Sequence, residues 1–299
     1  MCHYRNDIRA TQPKSMSASH HHECTDLANA QSALGAGRYY GEVADRFDTS
    51  LAVLSEVIHP KARSLPEHDH ALAYFCMLIE GQYIETIGGR ELDYHPFDVG
   101  FHPSHMPHRD TISGRGARFL CLEMRSESFA TTGVRLDRAP ALLPGVVTLQ
   151  LLRVYYHFAA RTLSPILLES AVWELCGGVS EQMSPEERRF PTWLRRCLDL
   201  IEGEYATDLA IGEIATRIDI HPVHLSREFR RRFGQTIGEY VHKVRIRSAC
   251  ALMSGGLAPL STVAASVGFA DQAHFCRVFK ALVGCTPSSF VAACTLRQH

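Results

Sequence analysis

The sequence lacks several features that would assign it to particular classes of protein. It has no run of about eighteen apolar residues, so we expect no membrane-spanning helix and no membrane partner. Its ten cysteines include no Cys-x-x-Cys pair, which argues against a zinc ribbon and a disulfide scaffold. The amino terminus lacks the apolar core of a secretory signal, so residues 1–40 are predicted to be a mobile polar tail. We therefore expect a cytoplasmic protein with reduced cysteines.

The chain has almost no net charge, yet its charges are unevenly distributed. The formal charge of the 299 residues is −1. From Phe190 onward the chain has thirteen Lys and Arg against nine Asp and Glu, a net charge of +4, whereas residues 1–189 carry −5. This difference favours an anionic partner for the carboxyl third. The length of the chain suggests two domains.

Residues 41–130 have the pattern of short strands separated by turns. Apolar and β-branched stretches such as LAVLSEVI and FCMLIEGQYIETI alternate with turn signals. Gly88 and Gly89 are predicted to close a hairpin between two strands. Several short strands at this spacing predict a β-sandwich or a β-barrel.

The spacing of apolar residues becomes helical after about residue 130. Residues 131–180 are predicted to form two helices that pack against the strands or against a second copy of the chain, as a dimerisation region. Residues 181–192 are charged, contain two prolines and are predicted to be a linker. From residue 193 to residue 299 every segment has the pattern of a helix.

The stretch from Gly268 to Pro287 predicts a tight turn followed by a short helix. A glycine adopts a positive φ at little cost, and Asp271 is a good N-cap for the helix that follows. One apolar stripe runs along that helix, formed by Phe275, Val278, Phe279 and Leu282. About fifty residues upstream the same layout recurs, with Asp219 at the turn and Pro222 in the first turn of the helix. The carboxyl region is therefore predicted to hold two helix-turn-helix units joined by one long helix.

The second helix of each unit has a free face that carries polar and basic side chains. In the major groove of DNA, Arg bonds guanine and Gln bonds adenine bidentately, whereas other basic side chains meet phosphates. Two such helices could read successive major-groove segments about 34 Å apart. A helix with arginines on its exposed face is also common in proteins that bind no DNA, and it is the repetition that favours DNA binding.

Residues 193–296 resemble the DNA-binding domain of AraC/XylS-type transcription regulators. The resemblance rests on IATRIDIHPVHLSREFRRRFGQTIGEYVHKVRIRSACALM and on VAASVGFADQAHFCRVFKALVGCTPSSF. It implies base-facing residues in both units: Val223, Ser226 and Arg227 in the first, and Asp271, Gln272, His274, Cys276 and Arg277 in the second. Three further basic residues on the free faces are expected to meet phosphates: Arg230, Arg231 and Lys280. Asp219 departs from the glycine that this family often has at that turn. Val223 and Ser226 are poor readers of bases, so the first unit is expected to contribute phosphate contacts more than specificity.

The stretches LPEHDHALAYFCMLIEGQY and YHPFDVGFHPSHMPHRDTI resemble the paired motifs of the cupin barrel, which serves as the sensing domain of many AraC-type proteins. His68 and His70 are two apart on a predicted strand, so their side chains face the same way. In cupin enzymes such histidines, together with a glutamate, hold iron, manganese, zinc or nickel. Here Tyr74 stands at the position of the glutamate, and this departure argues against a catalytic metal.

Two interpretations of the cupin-like region therefore stay open. In the favoured one it is a metal-free pocket that buries a mostly apolar small molecule and is lined by His68, His70, Tyr74, Cys76, Leu78 and His108. In the other it holds a divalent metal, for which the candidate ligands are His68, His70, His102, His105 and His108.

The sequence as a whole predicts an α+β fold. A cupin-like β-barrel with following helices precedes an all-α domain of two helix-turn-helix units. The expected function is that of a ligand-responsive transcription regulator, not an enzyme, with promoter DNA, a small-molecule effector, RNA polymerase and a second copy of the chain as partners. Whether it activates or represses is left open. The alternatives are a cupin-type dioxygenase or isomerase, and a constitutive DNA-binding protein whose barrel only dimerises.

Overall fold

The computed structural model describes residues 33–125, 141–143, 146–182, 191–255 and 258–297. An antiparallel sheet forms the amino-terminal part of this region. Its strands are β1 (Glu42–Asp48), β2 (Ala52–His59), β3 (Arg63–Ser64), β4 (Tyr74–Ile87), β5 (Arg90–Tyr94), β6 (Val99–His102), β7 (Arg109–Met124) and β8 (Ala141–Leu143). The order across the sheet is β1-β2-β7-β4-β6-β8, with β3 added to β7 and β5 added to β4.

The long strands β4 and β7 form the centre of the sheet, and both of their faces are buried. Side chains alternate between the two faces of a strand, so neighbouring residues enter different cores. We call the face of β4 that carries Tyr74, Cys76 and Leu78 the histidine face, and the face that carries Phe75 and Met77 the helix face. Because both faces are covered, the run Tyr74–Ile79 is apolar throughout.

The helix face packs against two helices, α1 (Val146–Ala159) and α2 (Pro165–Gln182). Their buried residues join those of the sheet in one continuous core. On their exposed side, Ile166 and Trp173 of α2 are among the most exposed large apolar residues of the described chain.

Seven further helices form the carboxyl region: α3 (Thr192–Glu204), α4 (Ile211–Arg217), α5 (Pro222–Phe233), α6 (Ile237–Ser254), α7 (Leu260–Ser266), α8 (Gln272–Val283) and α9 (Pro287–Thr295). We call α4 and α5 the first unit, and α7 and α8 the second unit. The two units repeat the same lengths: seven residues for α4 and α7, and twelve for α5 and α8. The long helix α6 joins them, as the sequence predicts.

The turns and helix ends repeat as well. Asp219 has φ +59° in the turn of the first unit, and Gly268 has φ +87° in that of the second. The helices α5 and α8 each end at a glycine in the left-handed conformation, Gly234 and Gly284 respectively. Two residues later the helix that follows begins with the N-cap threonine Thr236 or Thr286.

The two units belong to different cores. The buried core of the first unit is built from α3, α4 with the following residue Ile218, α5 and the amino-terminal half of α6, and the half-buried Tyr205 packs against both cores. The core of the second unit is continuous with that of the sheet, α1 and α2, because the ring of Phe290 lies 6.2 Å from that of Phe97 and 6.3 Å from that of Tyr155. Arg247 of α6 adds a polar link, since it pairs with Asp98 and Glu202.

The structure confirms the hairpin at Gly88–Gly89, in which Ile87 pairs with Arg90. Most of the predicted tail at residues 1–40, and residues 183–190 of the predicted linker, lie outside the described residues. The closed barrel and the division into domains stay predictions. Among the described residues no single helix is long and apolar enough to cross a membrane, although the bent pair α8 and α9 passes that test jointly.

Candidate DNA-contacting helices and histidine cluster

The exposed face of α5 carries a basic stripe. Val223, Arg227, Arg230 and Arg231 are exposed, whereas Ser226 is half-buried. Leu225 and Phe229 lie on the opposite side, in the core. Arg231 pairs with Glu228 of the same helix at 2.8 Å, which leaves Arg227 and Arg230 without an ion pair among the described residues. The helix begins at the N-cap His221, whose Nδ1 accepts a hydrogen bond from the backbone of Val223.

The exposed face of α8 carries Gln272, Arg277 and Lys280. Asp271 is also exposed, but its carboxylate accepts a hydrogen bond of 2.6 Å from the backbone N–H of His274 and so caps the helix, as predicted. The ring of His274 is half-buried against Phe269, and Cys276 packs partly against the core. Helix α8 therefore has fewer side chains available for contact with DNA than the sequence suggests.

The two exposed faces correspond position by position when the units are aligned on their glycine ends. Arg227 corresponds to Arg277, and Arg230 to Lys280. The pattern i, i+4, i+7 places these residues along one side of each helix, with Val223 and its counterpart Ala273 at the start. Neither basic side is covered by another described part of the chain.

Three histidines converge on the histidine face of the sheet. One ring nitrogen from each of His68, His70 and His108 lies within 4.8 Å of the others, and all three residues are buried. His68 and His108 are held opposite one another because their backbones exchange two hydrogen bonds, of 3.0 and 2.9 Å. This pairing joins the segment before β4 to the start of β7.

Backbone carbonyls fix the orientation of two of these rings. Nδ1 of His68 donates to the carbonyl of Pro66, and Nδ1 of His108 donates to that of Met106, both at 2.9 Å. A carbonyl only accepts, so each Nδ1 carries the proton and, in the neutral ring, each Nε2 keeps a lone pair. Histidines that bind a metal typically donate their other ring N–H to a carbonyl or a carboxylate in this way.

A carboxylate faces these lone pairs. Oδ2 of Asp110 lies 3.7 Å from Nε2 of His68, and its Oδ1 lies 4.0 Å from Nε2 of His108. Burial lowers the pKa of His108, and burial together with the neighbouring histidines lowers that of His70 to about 2, so both rings are neutral. The hydroxyl of Tyr74 lies 3.3 Å from Nε2 of His108 and can donate to it, and the hydroxyl of Tyr83 donates to Oδ1 of Asp110 at 2.8 Å, so a cation here would compete with these two hydroxyls for the lone pair and the carboxylate.

The cavity beside the cluster is small. Its lining includes Tyr39, His59, His68, His70, Tyr74, Cys76 and Cys121, with Tyr40 partly exposed. The enclosed volume is about 40 Å³, enough for about three water molecules. A sugar or a drug-sized molecule needs several hundred Å³, so the large apolar ligand favoured by the sequence does not fit this conformation.

Of the remaining predicted residues, His102 lies beside the cluster, with its ring centre 5.5 Å from that of His108, whereas Leu78 and His105 do not belong to it. Leu78 is buried in the apolar part of the histidine face and does not line the cavity. His102 bonds Glu85 at 2.6 Å, and the exposed ring of His105 lies beside Asp69. Sequence reasoning missed Asp110, although its spacing of two from His108 on a strand was a usable signal.

Comparison with known proteins bears on the carboxyl region. Residues 214–293, which run from α4 into α9, match a family model described as a helix-turn-helix domain. The arabinose operon regulatory protein of Escherichia coli is 31% identical over 129 residues, 43% of this chain and 43% of that protein. Its counterpart from Salmonella typhimurium is 38% identical over 84 residues, 28% of this chain and 30% of that protein. Residues 214–293 form an AraC-type helix-turn-helix domain.

Among solved structures, the C-terminal domain of AraT, a response regulator from Geobacillus stearothermophilus, has 26% identity and a TM-score of 0.34. That match covers 35% of this chain and 87% of that chain. The chain spans less than half the length of the two curated relatives it matches.

The helix-turn-helix domain exposes two residues that the sequence analysis did not select. His224 is exposed at the start of α5, 5.7 Å from the ring of Trp193, and Ala273 is exposed at the start of α8. Ala273 could have been found from its correspondence to Val223 in the repeat. The roles of all predicted DNA-contacting residues in this domain stay predictions.

Proposed function

We propose that this protein is a sequence-specific DNA-binding transcription regulator acting in the cytoplasm. The observation that carries the proposal is the pair of exposed basic faces, on α5 and α8, at equivalent positions of a duplicated helix-turn-helix domain. Relatives that are named regulatory proteins support a regulator over an enzyme.

We assign different roles in DNA binding to the residues of these two faces. Arg227 and Arg277 lie one turn into their helices, where a side chain reaches base edges in the major groove. Arg230 and Lys280 lie one turn further on and are placed to meet phosphates. The second helix adds Gln272, which has the donor and acceptor that adenine requires. We therefore assign most of the sequence specificity to α8.

The test begins by selecting genomic fragments that bind the full-length protein, and then compares the best fragment with random duplex. Arg277→Ala should weaken specific binding by about 1–3 kcal/mol and random binding much less. Arg90→Ala is the matched control, because it removes the same charge from the exposed hairpin of the sheet. Equal losses on both duplexes, or an equal loss in the control, would refute the assignment.

We propose in addition that the sheet is the sensing part and that its effector is a small cation. The site consists of His68, His70 and His108 with Asp110 beside them, four side chains that suit a divalent metal such as zinc, nickel, iron or manganese. The small volume of the cavity favours an ion over an organic molecule. The cation would shift the protein between states only as far as its affinities for those states differ.

Zinc alone tests this second proposal by calorimetry on the full-length, chelator-treated protein. We expect one ion per chain, with binding lost in His70→Ala and retained in His95→Ala, an exposed histidine outside the cluster. Equal binding in both variants would place the metal elsewhere. Turnover of a small substrate by the loaded protein would favour the enzymatic alternative instead.

We also propose that the protein is a homodimer that acts with RNA polymerase. The exposed Ile166 and Trp173 on α2 support a protein contact on that helix. Sedimentation of Ile166→Glu at several concentrations tests the dimer, and unchanged association would exclude this surface.

A further inference from the structure

Two cysteines face one another on the histidine face of the sheet. Cys76 of β4 and Cys121 of β7 are direct partners in the strand register, and their Sγ atoms lie 3.9 Å apart. Both are buried, and both line the cavity beside the histidine cluster. We call them the thiol pair.

The backbone geometry at the thiol pair permits a disulfide. Three positions away in the same ladder, the N–H of Met124 donates to the carbonyl of Ala73, so those two residues form a hydrogen-bonded pair. Such pairs alternate with non-hydrogen-bonded ones, and Cys76 with Cys121 is therefore of the second kind. Its Cα atoms are about 4.5 Å apart, within the range that disulfides span.

The cavity determines which oxidant can reach the sulfurs. A space of about 40 Å³ admits molecules little larger than water and excludes a tripeptide disulfide such as oxidised glutathione. Hydrogen peroxide fits this limit. Other described cysteines, such as Cys197 and Cys250, are fully buried and do not line this cavity.

We propose that the thiol pair is an oxidation site at which hydrogen peroxide forms a Cys76–Cys121 disulfide. The thiolate of one cysteine attacks a peroxide oxygen, so that an S–O bond forms, the O–O bond breaks and hydroxide leaves to take up a proton as water. The second thiol then attacks the sulfenic sulfur, the S–S bond forms, and its proton departs with the oxygen as a second water. Two thiols and one peroxide thus give one disulfide and two waters.

The bond would cross-link β4 to β7 beside His70 and Tyr74, and so fix the floor of the cavity. The hydrogen bond from Cys121 together with burial raises the pKa of the Cys76 thiol, so the reaction is slow. The test therefore compares thiols within one chain and does not depend on an absolute rate. The proposal is independent of DNA binding.

The experiment treats reduced full-length protein with hydrogen peroxide, blocks free thiols and maps peptides without reduction. We expect a linked peptide pair containing Cys76 and Cys121, lighter by two hydrogens and separated by dithiothreitol. The Cys276→Ser variant, which alters a half-buried thiol on α8, should give the same link. In Cys121→Ser, Cys76 should instead carry a sulfenic acid, which dimedone traps once the peroxide has been removed and the protein is unfolded in its presence.

Three outcomes would overturn the proposal. Cys76 and Cys121 could stay free while other thiols of the same chain are oxidised. They could link to different cysteines. Oxidised glutathione could form mixed disulfides on them as readily as peroxide links them, which would contradict the size argument. The first two outcomes can be observed with the wild-type protein alone, so the test remains valid if a variant fails to fold.

Discussion

The first unit (α4 and α5) and the second unit (α7 and α8) repeat one arrangement of helices but rest on different cores. The core of the first unit is built from α3, α4, α5 and half of α6, whereas that of the second extends through α9 into the sheet. Arg247 of the linking helix α6 connects α3, which belongs to the core of the first unit, to the sheet through polar contacts, because it pairs with Glu202 and with Asp98. The second reaches it through buried aromatic rings, those of Phe290, Phe97 and Tyr155.

This difference indicates how the proposed signal in the sheet could reach the proposed DNA-contacting helices. Groups paired by charge and hydrogen bonds can exchange their partner for water when two elements separate, whereas an aromatic core can move only by opening cavities. We therefore expect the second unit to follow the sheet as one body and the first unit to be the more adjustable of the two. The turn before β6 lies at the centre of this arrangement, because Phe97 and Asp98 contact α9 and α6 while His102, at the end of β6, contacts Tyr74.

The largest effect that would test this comparison comes from the equivalent core residues Phe229 and Phe279. Both are fully buried, and replacing either with alanine should cost about 3–5 kcal/mol. In Phe279→Ala, hydrogen exchange should also speed up in β4 and β7, because their core is shared. In Phe229→Ala, it should speed up in α3 to α6 only. If the amides of β4 and β7 exchanged as slowly in Phe279→Ala as in the wild type, the second unit and the sheet would not share a coupled core.

The next effect concerns Arg297, which ties the end of the second unit's region to the sheet. It pairs with Asp45 and Glu56, donates to the carbonyl of Phe158 and is almost fully buried. Arg297→Met leaves the buried Glu56 poorly compensated and should cost about 3 kcal/mol. The exposed pair between Arg217 of the first unit and Glu204 of α3 is the control, and Arg217→Met should leave the free energy of unfolding almost unchanged, because exposed ion pairs are weak.

The contribution of Arg297 to the free energy of unfolding should decline at acidic pH. Burial alone would raise the pKa of Asp45, but hydrogen bonding and charge from Arg297 hold it below its usual value. A lowered carboxylate pKa stabilises the fold above the unfolded pKa and ceases to do so as pH falls through the folded pKa. The free energies of unfolding of the wild type and of Arg297→Met, measured by urea denaturation, should therefore converge below about pH 4. A constant difference at every pH would exclude Asp45 as the partner.

Local signals made the helical part of the fold predictable. The cap at Asp271, the proline at residue 222 and the glycine at 268 act within a few residues, so their effects can be read from the sequence. The sharing of cores could not be predicted in this way. It depends on Phe290 meeting Phe97, almost two hundred residues earlier, and no local pattern encodes that contact.

The histidine cluster was predictable in part for the same reason. The two-residue spacing of His68 and His70 places them on one side of a strand, whereas the approach of Asp110 depends on how β7 pairs with the segment before β4. The thiol pair likewise depends on register, since a shift of one residue would turn Cys121 to the other face. Cavity size depends on every wall at once, so the small volume of the cavity could not be predicted from the sequence.

A moderate effect is expected at the two turns. A Cβ on Gly268 would lie 2.6 Å from the carbonyl oxygen of Ala206 and would also strain a φ of +87°. Gly268→Ala should therefore cost about 1–3 kcal/mol. Asp219 adopts φ +59° as an ordinary residue, so Asp219→Gly should change the free energy of unfolding by less than about 1 kcal/mol. If Gly268→Ala and Asp219→Gly lowered the free energy of unfolding by similar amounts, the two turns would not differ as this comparison requires.

The smallest effect concerns the two N-caps. Asp271 accepts its hydrogen bond at 2.6 Å and His221 at 3.3 Å, so Asp271→Ala should cost about 1 kcal/mol and His221→Ala less. Asp271→Asn keeps an acceptor while removing the charge, and it should retain most of the stability. Because a carboxylate beside DNA repels phosphates, Asp271→Asn should bind both specific and random duplex at least as tightly as wild type. A loss confined to the specific duplex would instead make Asp271 a base contact, and α8 would then read DNA with its cap as well as with Arg277.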